Sequence, residues 1–217
     1  TILNSVSHDL RTPLSSIKAA VSSLRQTDII WSEADHSEFL ATIEQEADRL
    51  NSLVGNLLDM SRLQAGALSL ALRPIGFDEV VPRALRYLRH GEVPVEVDVP
   101  ETLSRVKADP ALLERAVANV TDNALAWSPA DQAVRIAASE AAGRVELRIA
   151  DRGPGIPPQG REHVFEPFHT VGRRPRGEGT GLGLAVAKGF VEAMGGTIEL
   201  EDTPGGGLTV CISLEAA

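Results

Sequence analysis

Apolar residues recur along the first third of the chain at helical spacing. Leu3, Leu10, Leu14, Ile17, Val21 and Leu24 follow intervals of three and four once Ser7 is counted in the vacant place. This is the narrow stripe of a bundle seam rather than the broad face of a globular helix. Residues 27–30 interrupt the pattern, and Ser32 with Asp35 three positions later predicts a variant capping box that opens a second helix. Its seam runs through Leu40, Ile43, Ala47, Leu50, Val54 and Leu57. Two such helices form an antiparallel hairpin with one side of each seam uncovered. Pairing two hairpins into a four-helix bundle covers that side, so a homodimer through residues 1–66 is expected.

Beyond Gly66 the period changes and the pattern becomes α+β. Strands are predicted over 69–74 and 93–99, with a helix over 77–89 between them. Asp109-Pro110 supplies an N-cap followed by proline at the first helical position, opening a helix that runs to about Trp127. Alternating strands follow over 133–139 and 144–151. Residues 152–180 have no apolar period, and a loop of that length in a compact domain is functional or disordered. A helix from Gly181 ends at Gly195-Gly196, and strands over 197–201 and 208–214 close the chain around a Gly205-Gly206-Gly207 hairpin turn. The fold class expected is α+β: a helical hairpin over 1–66, then an α/β domain over 67–217.

Composition narrows the function classes. The 217 residues are 43% hydrophobic and 24% charged, which excludes a disordered or collagen-like chain. Lys plus Arg number 21 against 30 Asp plus Glu, a net charge of −9, which argues against a nucleic-acid or anionic-membrane surface. A single cysteine, Cys211, excludes an internal disulfide framework and a Cys-rich zinc site. No apolar run approaches the roughly 20 residues that span a bilayer. Because Thr1 falls inside a helical pattern, the chain reads as a piece of a longer protein. With only seven residues before His8, that piece is expected to dimerise less well than its parent.

Four clusters carry chemistry. His8 lies one position past the seam place at Ser7, about 100° round the helix, and so faces solvent. An imidazole there is a nucleophile when Nε2 holds the lone pair, and a neighbouring carboxylate, Asp9, can select that tautomer through Nδ1–H. Thr12 lies one turn on, on the same face. An isolated His-Asp pair is more often simply solvated. Pro13, however, costs about 3 kcal/mol inside a helix, and such a cost beside a polar cluster points to function.

Asn119 and Asn123, four apart, share a helix face, and an amide oxygen is a hard ligand suited to Mg²⁺. Asp151, followed by Gly153 and Gly155, ends an apolar strand where a carboxylate can accept from an exocyclic amine; alone, the segment is a turn. Gly179, Gly181, Leu182 and Gly183 open a helix, whose free N–H groups favour phosphate. No strand immediately precedes this glycine run and no GK[ST] ends it, so neither a dinucleotide fingerprint nor a P-loop fits.

In order along the chain, SHDLRTPL, ANVTDNA, DRGPGIP, the pair Phe165 and Phe168, GTGLGL and GGGLTV resemble the H, N, first glycine, F, second glycine and last glycine boxes of the histidine kinases of two-component signalling. LLDMSRLQAG together with SHDLRTPL is similar to the potassium-responsive KdpD-type sensor kinases. The resemblance implies a dimerisation and phosphotransfer hairpin followed by an ATP-binding sandwich of the gyrase, Hsp90 and MutL type, with a lid over about 152–180. It implies that His8 takes the γ-phosphoryl group of ATP and passes it to an aspartate on a response-regulator receiver domain. Asp9 orients or deprotonates His8, and Thr12 positions water when that partner is dephosphorylated.

On the same resemblance, Asn123 holds Mg²⁺ with support from Asn119, Asp151 recognises the adenine amine with Thr209 behind it, and Gly179, Gly181 and Gly183 line the phosphates. ATP-hydrolysing relatives place a Glu at the position of Asn119, which cannot act as a base. One departure stands out: Ala126 occupies a position where members often carry Lys or Arg, followed here by the aromatic Trp127. Arg173, Arg174 and Arg176 are the alternative phosphate contacts. The alternative function is a degenerate nucleotide-binding scaffold acting through its helical bundle. The resemblance also implies a cytoplasmic fragment without membrane contact, cut from a parent anchored in the bacterial inner membrane.

Overall fold

The computed structural model describes residues 2–86, 88, 93–169 and 181–217, with side chains in the first helix from Val6 onward. The chain divides into two compact units, one ending at Asp59 and the other running from Met60 to Ala217.

The first unit is helical. Helix α1 spans Ile2–Leu24 without interruption at Pro13, and α2 spans Glu33–Gln64, its last turns belonging to the second unit. The Ser32–Asp35 capping box forms as the sequence predicts. Ser32 N–H donates to Asp35 Oδ2 at 2.9 Å and Asp35 N–H returns to Ser32 Oγ at 3.1 Å. Trp31 closes the connection, its indole N–H on the carbonyl of Ser23 at 2.9 Å and its ring edge-to-face with Phe39. The predicted seam is only partly covered: Leu10, Ile17, Ile43, Leu50 and Leu57 are half-buried, whereas Leu14 (58%), Val21, Leu40 (59%) and Val54 stay exposed. The buried Pro13, Ala20 and Leu53 each lie one position before a seam residue.

The second unit sets helices against a five-stranded sheet and carries a separate two-stranded one. In chain order come β1 (Arg73–Ile75), α3 (Phe77–Arg86), β2 (Val95–Asp98), β3 (Val106–Ala108), α4 (Pro110–Trp127), β4 (Val134–Ala141), β5 (Arg144–Ala150), α5 (Pro158–Arg161), α6 (Gly183–Ala193), β6 (Thr197–Asp202) and β7 (Leu208–Glu215). Five strands lie in the order β2-β4-β5-β7-β6, with β2 parallel to β4 and the other pairs antiparallel. On β5, Val145, Leu147 and Ile149 point into the core while Arg148 faces outward between Glu146 and Glu201. Helix α4 packs between α3 and α6, and Val117, Val120, Val186 and Phe190 fill the space over the strands. Cys211 on β7 is buried, which pushes its thiol up to about 12 and keeps it protonated and inert.

Two predicted segments need correction and one strand goes unpredicted. The strand over 69–74 shrinks to β1, because only Arg73–Ile75 finds a partner, the unpredicted β3. Ahead of it, Ala71 N–H is taken by the Asp109 carboxylate at 2.9 Å instead of by a strand. β3 escapes prediction because three residues directly before a helix cap show no period. The segment 152–169 is not wholly irregular, since α5 forms a single turn within it.

Candidate functional site

On α1 the His8 side chain is 73% exposed, and its Nδ1 lies 3.4 Å from Asp9 Oδ1. With Nδ1–H turned toward the carboxylate, Nε2 keeps its lone pair and points away from Asp9. Thr12 donates its hydroxyl to the carbonyl of His8 at 3.3 Å, so the turn that carries the imidazole is tied through a side chain. One position on, Pro13 has no N–H to give the carbonyl of Asp9. This group lies wholly within the first unit.

The second unit holds an open pocket of about 590 Å³, counting the solvent space at its mouth. Asn123 and Trp127 of α4 form one wall, and Asp151, just past β5, faces in from another. Pro154, Gly155 and Ile156 follow it, Val164 and His169 come from the segment after α5, and Gly181, Gly183 and Leu184 from the start of α6. Asp109 builds the α4 wall: its Oδ1 caps the helix through Ala111 N–H and Leu112 N–H at 3.0 and 3.3 Å.

Asp151 is buried, and Oδ1 accepts two backbone N–H groups, Gly153 at 2.9 Å and Leu208 at 3.0 Å. Burial pushes its carboxyl above the ordinary range, opposed by the hydrogen bonds from Leu208 and Gly153. The local fold needs glycine here. At Gly207, with φ of +114°, an added Cβ would fall 2.0 Å from the carbonyl oxygen of Asp151.

Of the residues the sequence singles out for nucleotide, Asn123, Asp151, Gly155, Gly181 and Gly183 line the pocket together. Others stand one layer behind. Asn119 lies against Gly183, and Gly153 fits beneath the Trp127 carbonyl, where a Cβ would approach to 2.9 Å. Leu182 is fully buried and its carbonyl accepts from Val186 in the first turn of α6. Thr209, buried on β7, shares a hydrogen bond with Thr203 at 2.9 Å. Gly179, Arg173, Arg174 and Arg176 lie outside the described residues.

Sequence reasoning missed His169 and the apolar lining of Ile156, Val164 and Leu184. Segments without a period give no signal for which side chains turn inward.

The donor set suits a nucleotide with its metal. A buried carboxylate at an apolar pocket wall can receive an amine, and the start of α6 offers free N–H groups to phosphate. Among the described residues no group of three or more His, Cys, Asp or Glu is placed to hold a metal. Asn123 offers the pocket an amide oxygen, a hard ligand of the kind that binds a divalent cation together with phosphate oxygens.

Residues 1–66 match the family described as the His Kinase A (phospho-acceptor) domain. Residues 108–217 match the histidine kinase-, DNA gyrase B- and HSP90-like ATPase family. The chain is similar to the sensor protein KdpD of Mycobacterium tuberculosis, at 49% identity over 224 residues, covering 100% of this chain and 26% of that protein. It spans about a quarter of the length of the KdpD relatives it matches. Among solved structures, the histidine kinase AdeS of Acinetobacter baumannii aligns at a TM-score of 0.70 and 26% identity, over 96% of this chain and 98% of that one. Full-length ShkA, in complex with AMPPNP, aligns at 0.65 and 29% identity over 99% of this chain and 46% of that one. The exposed His8, the pocket around Asp151 and these matches agree: the chain belongs to the histidine kinases, a phospho-acceptor helical region followed by an ATPase-type α/β domain.

Proposed function

We propose that this chain is the kinase core of a sensor protein, which phosphorylates its own His8 from Mg-ATP and passes the group to an aspartate of a response regulator. Residues 1–66 form the dimerising, phosphate-accepting part and residues 67–217 the nucleotide-binding part. The observation that carries the reading is the exposed His8 imidazole with Nδ1 turned to Asp9, in a chain whose other unit holds a pocket walled by the buried Asp151.

In the transfer, the Nε2 lone pair of His8 forms a bond to the γ-phosphorus as the bond to the β–γ bridging oxygen breaks and ADP leaves. Asp9 holds the Nδ1 proton and stabilises the positive charge that develops on the ring. In the pocket, Asp151 receives the adenine amine, Asn123 gives its amide oxygen to Mg²⁺, and the first N–H groups of α6 face the phosphates. That ShkA is solved with AMPPNP supports a nucleotide in the matching domain. Thr12, whose hydroxyl donates to the carbonyl of His8, orients water for dephosphorylation of the regulator in this reading.

No helix among the described residues is long and apolar enough to cross a membrane. We place this part of the protein in the cytoplasm, with any anchor in the remainder of a longer chain.

Incubation with γ-labelled ATP and Mg²⁺ tests the reading. Label that survives alkali and is lost in acid identifies phosphohistidine; absence of label, or acid-stable label, overturns it.

A further inference from the structure

A nucleoside triphosphate brings several negative charges into a protein whose own net charge is −9, so its phosphate end needs local positive charge. Among the described residues that line the pocket, two side chains are ionisable: Asp151, which is acidic, and His169. The α4 wall offers no cation, since Ala126 and Trp127 follow Asn123 there. His169 is therefore the one described lining residue able to carry positive charge.

Its position is fixed by backbone. Phe168 N–H donates to the carbonyl of Gly181 at 3.0 Å, and a Cβ on Gly181 would lie 2.8 Å from the carbonyl oxygen of His169. His169 is thereby held beside the residues that open α6, where free N–H groups favour phosphate. Asp151, by contrast, is clamped to Leu208 and Gly153 at a different wall. Phe168 adopts φ of +64°, a left-handed backbone that is strained for a non-glycine residue and persists where the surroundings enforce it, often at ligand sites. The second imidazole nearby, His163, has its ring 5.5 Å from that of His169 but is engaged by Glu166, Nδ1 to Oε1 at 2.9 Å, and does not line the pocket.

We propose that His169 is a phosphate-contacting residue of this pocket, its imidazole donating to phosphate beside the start of α6. The inference rests on the nucleotide reading given above. Titration of the wild type, His169→Gln and His169→Lys with ATP at fixed Mg²⁺, and with adenosine followed by NMR, tests it. The expected result is a loss of about tenfold in ATP affinity for His169→Gln, the size of one charge-assisted hydrogen bond, with recovery in His169→Lys and no change toward adenosine. ATP affinity unchanged in His169→Gln, equal weakening toward ATP and adenosine, or failure of His169→Lys to recover binding would each overturn the assignment. A wild-type protein that binds adenosine and ATP nowhere overturns the nucleotide reading itself, and this inference with it.

Discussion

The backbone N–H of Asp151 donates to the carbonyl of Leu208 at 2.9 Å, and Leu208 returns its own N–H to the Asp151 carboxylate at 3.0 Å. One residue thus closes the β5–β7 ladder and turns its side chain to the pocket. Because the two backbone donors converge on Oδ1, an Asn at this position can keep both bonds through its carbonyl oxygen and must present an NH₂ group where the carboxylate presented Oδ2. Asp151→Asn is therefore expected to fold normally and to lose about ten- to a hundredfold in ATP affinity, the cost of one missing charged acceptor facing a donor. Circular dichroism and calorimetric titration check the two halves.

The same carboxylate gives the pocket a pH dependence. Burial raises the Asp151 carboxyl above the ordinary carboxylate range in the unliganded protein, and an adenine amine, as proposed above, would bind the ionised form. Affinity is therefore full above the raised value and declines as pH falls through it. ATP titrations repeated down to mildly acidic pH should show that decline in the wild type and lose this component in Asp151→Asn. An identical profile in both proteins would remove Asp151 from the adenine contact.

Asp109 does more than its N-cap sequence announces. Oδ1 caps α4 and Oδ2 takes the N–H of Ala71, so a single side chain fixes both the helix that carries Asn123 and the segment leading to β1. Asp109→Ala is expected to cost about 2 kcal/mol, the upper end for a lost cap, since a second backbone donor is also orphaned. For a unit of this size that lowers the midpoint of thermal unfolding by roughly 5 °C. The effect on ATP affinity at 25 °C should be small, because no atom of Asp109 lines the pocket.

What the sequence made legible follows from how local each signal is. The Ser32–Asp35 box, the Asp109-Pro110 start and the Gly205–Gly207 turn are written within a few residues, and each forms where expected. The alternation on β5 is equally local, and its inward set is Val145, Leu147 and Ile149. β3 and the pocket wall from Ile156 to His169 depend on partners far along the chain. Val106–Ala108 is a strand only because Arg73–Ile75 lies beside it, and His169 meets the pocket only because Phe168 is bonded to Gly181. The Asp109–Ala71 bond, spanning 38 residues, belongs to the same class.

The uncovered seam carries its own prediction. Leu14 and Leu40, both more than half exposed, stand with Val21, Val54 and Leu58 on a helical pair whose buried positions are Pro13, Ala20, Leu53 and Asp59. A second copy that covers this face would bury those side chains at about 25 cal/mol per Å² of apolar surface. Leu40→Glu puts a charge into that contact, and sedimentation should show the variant at its monomer mass of 23.1 kDa under conditions where the wild type sediments as a dimer. A wild type that remains monomeric at every concentration tested would rule out dimerisation through this chain alone.

The separation of roles between the two units is tested at His8. Its imidazole is held by α1 and Asp9, whereas every residue that lines the pocket belongs to the second unit. Replacing a side chain that is 73% exposed costs the fold little, within about 0.5 kcal/mol for a surface position. Glutamine keeps the length and polarity of histidine but has no lone pair on nitrogen to attack phosphorus, its amide nitrogen being conjugated to the carbonyl. His8→Gln should therefore abolish alkali-stable, acid-labile labelling from γ-labelled ATP while its ATP affinity and unfolding midpoint match the wild type. Asp9→Asn, which leaves the nucleophile and removes the charged acceptor at Nδ1, should retain labelling at a reduced rate. If label persists in His8→Gln, the acceptor is another side chain; if ATP affinity falls with it, His8 contributes to nucleotide binding and the division between the units does not hold.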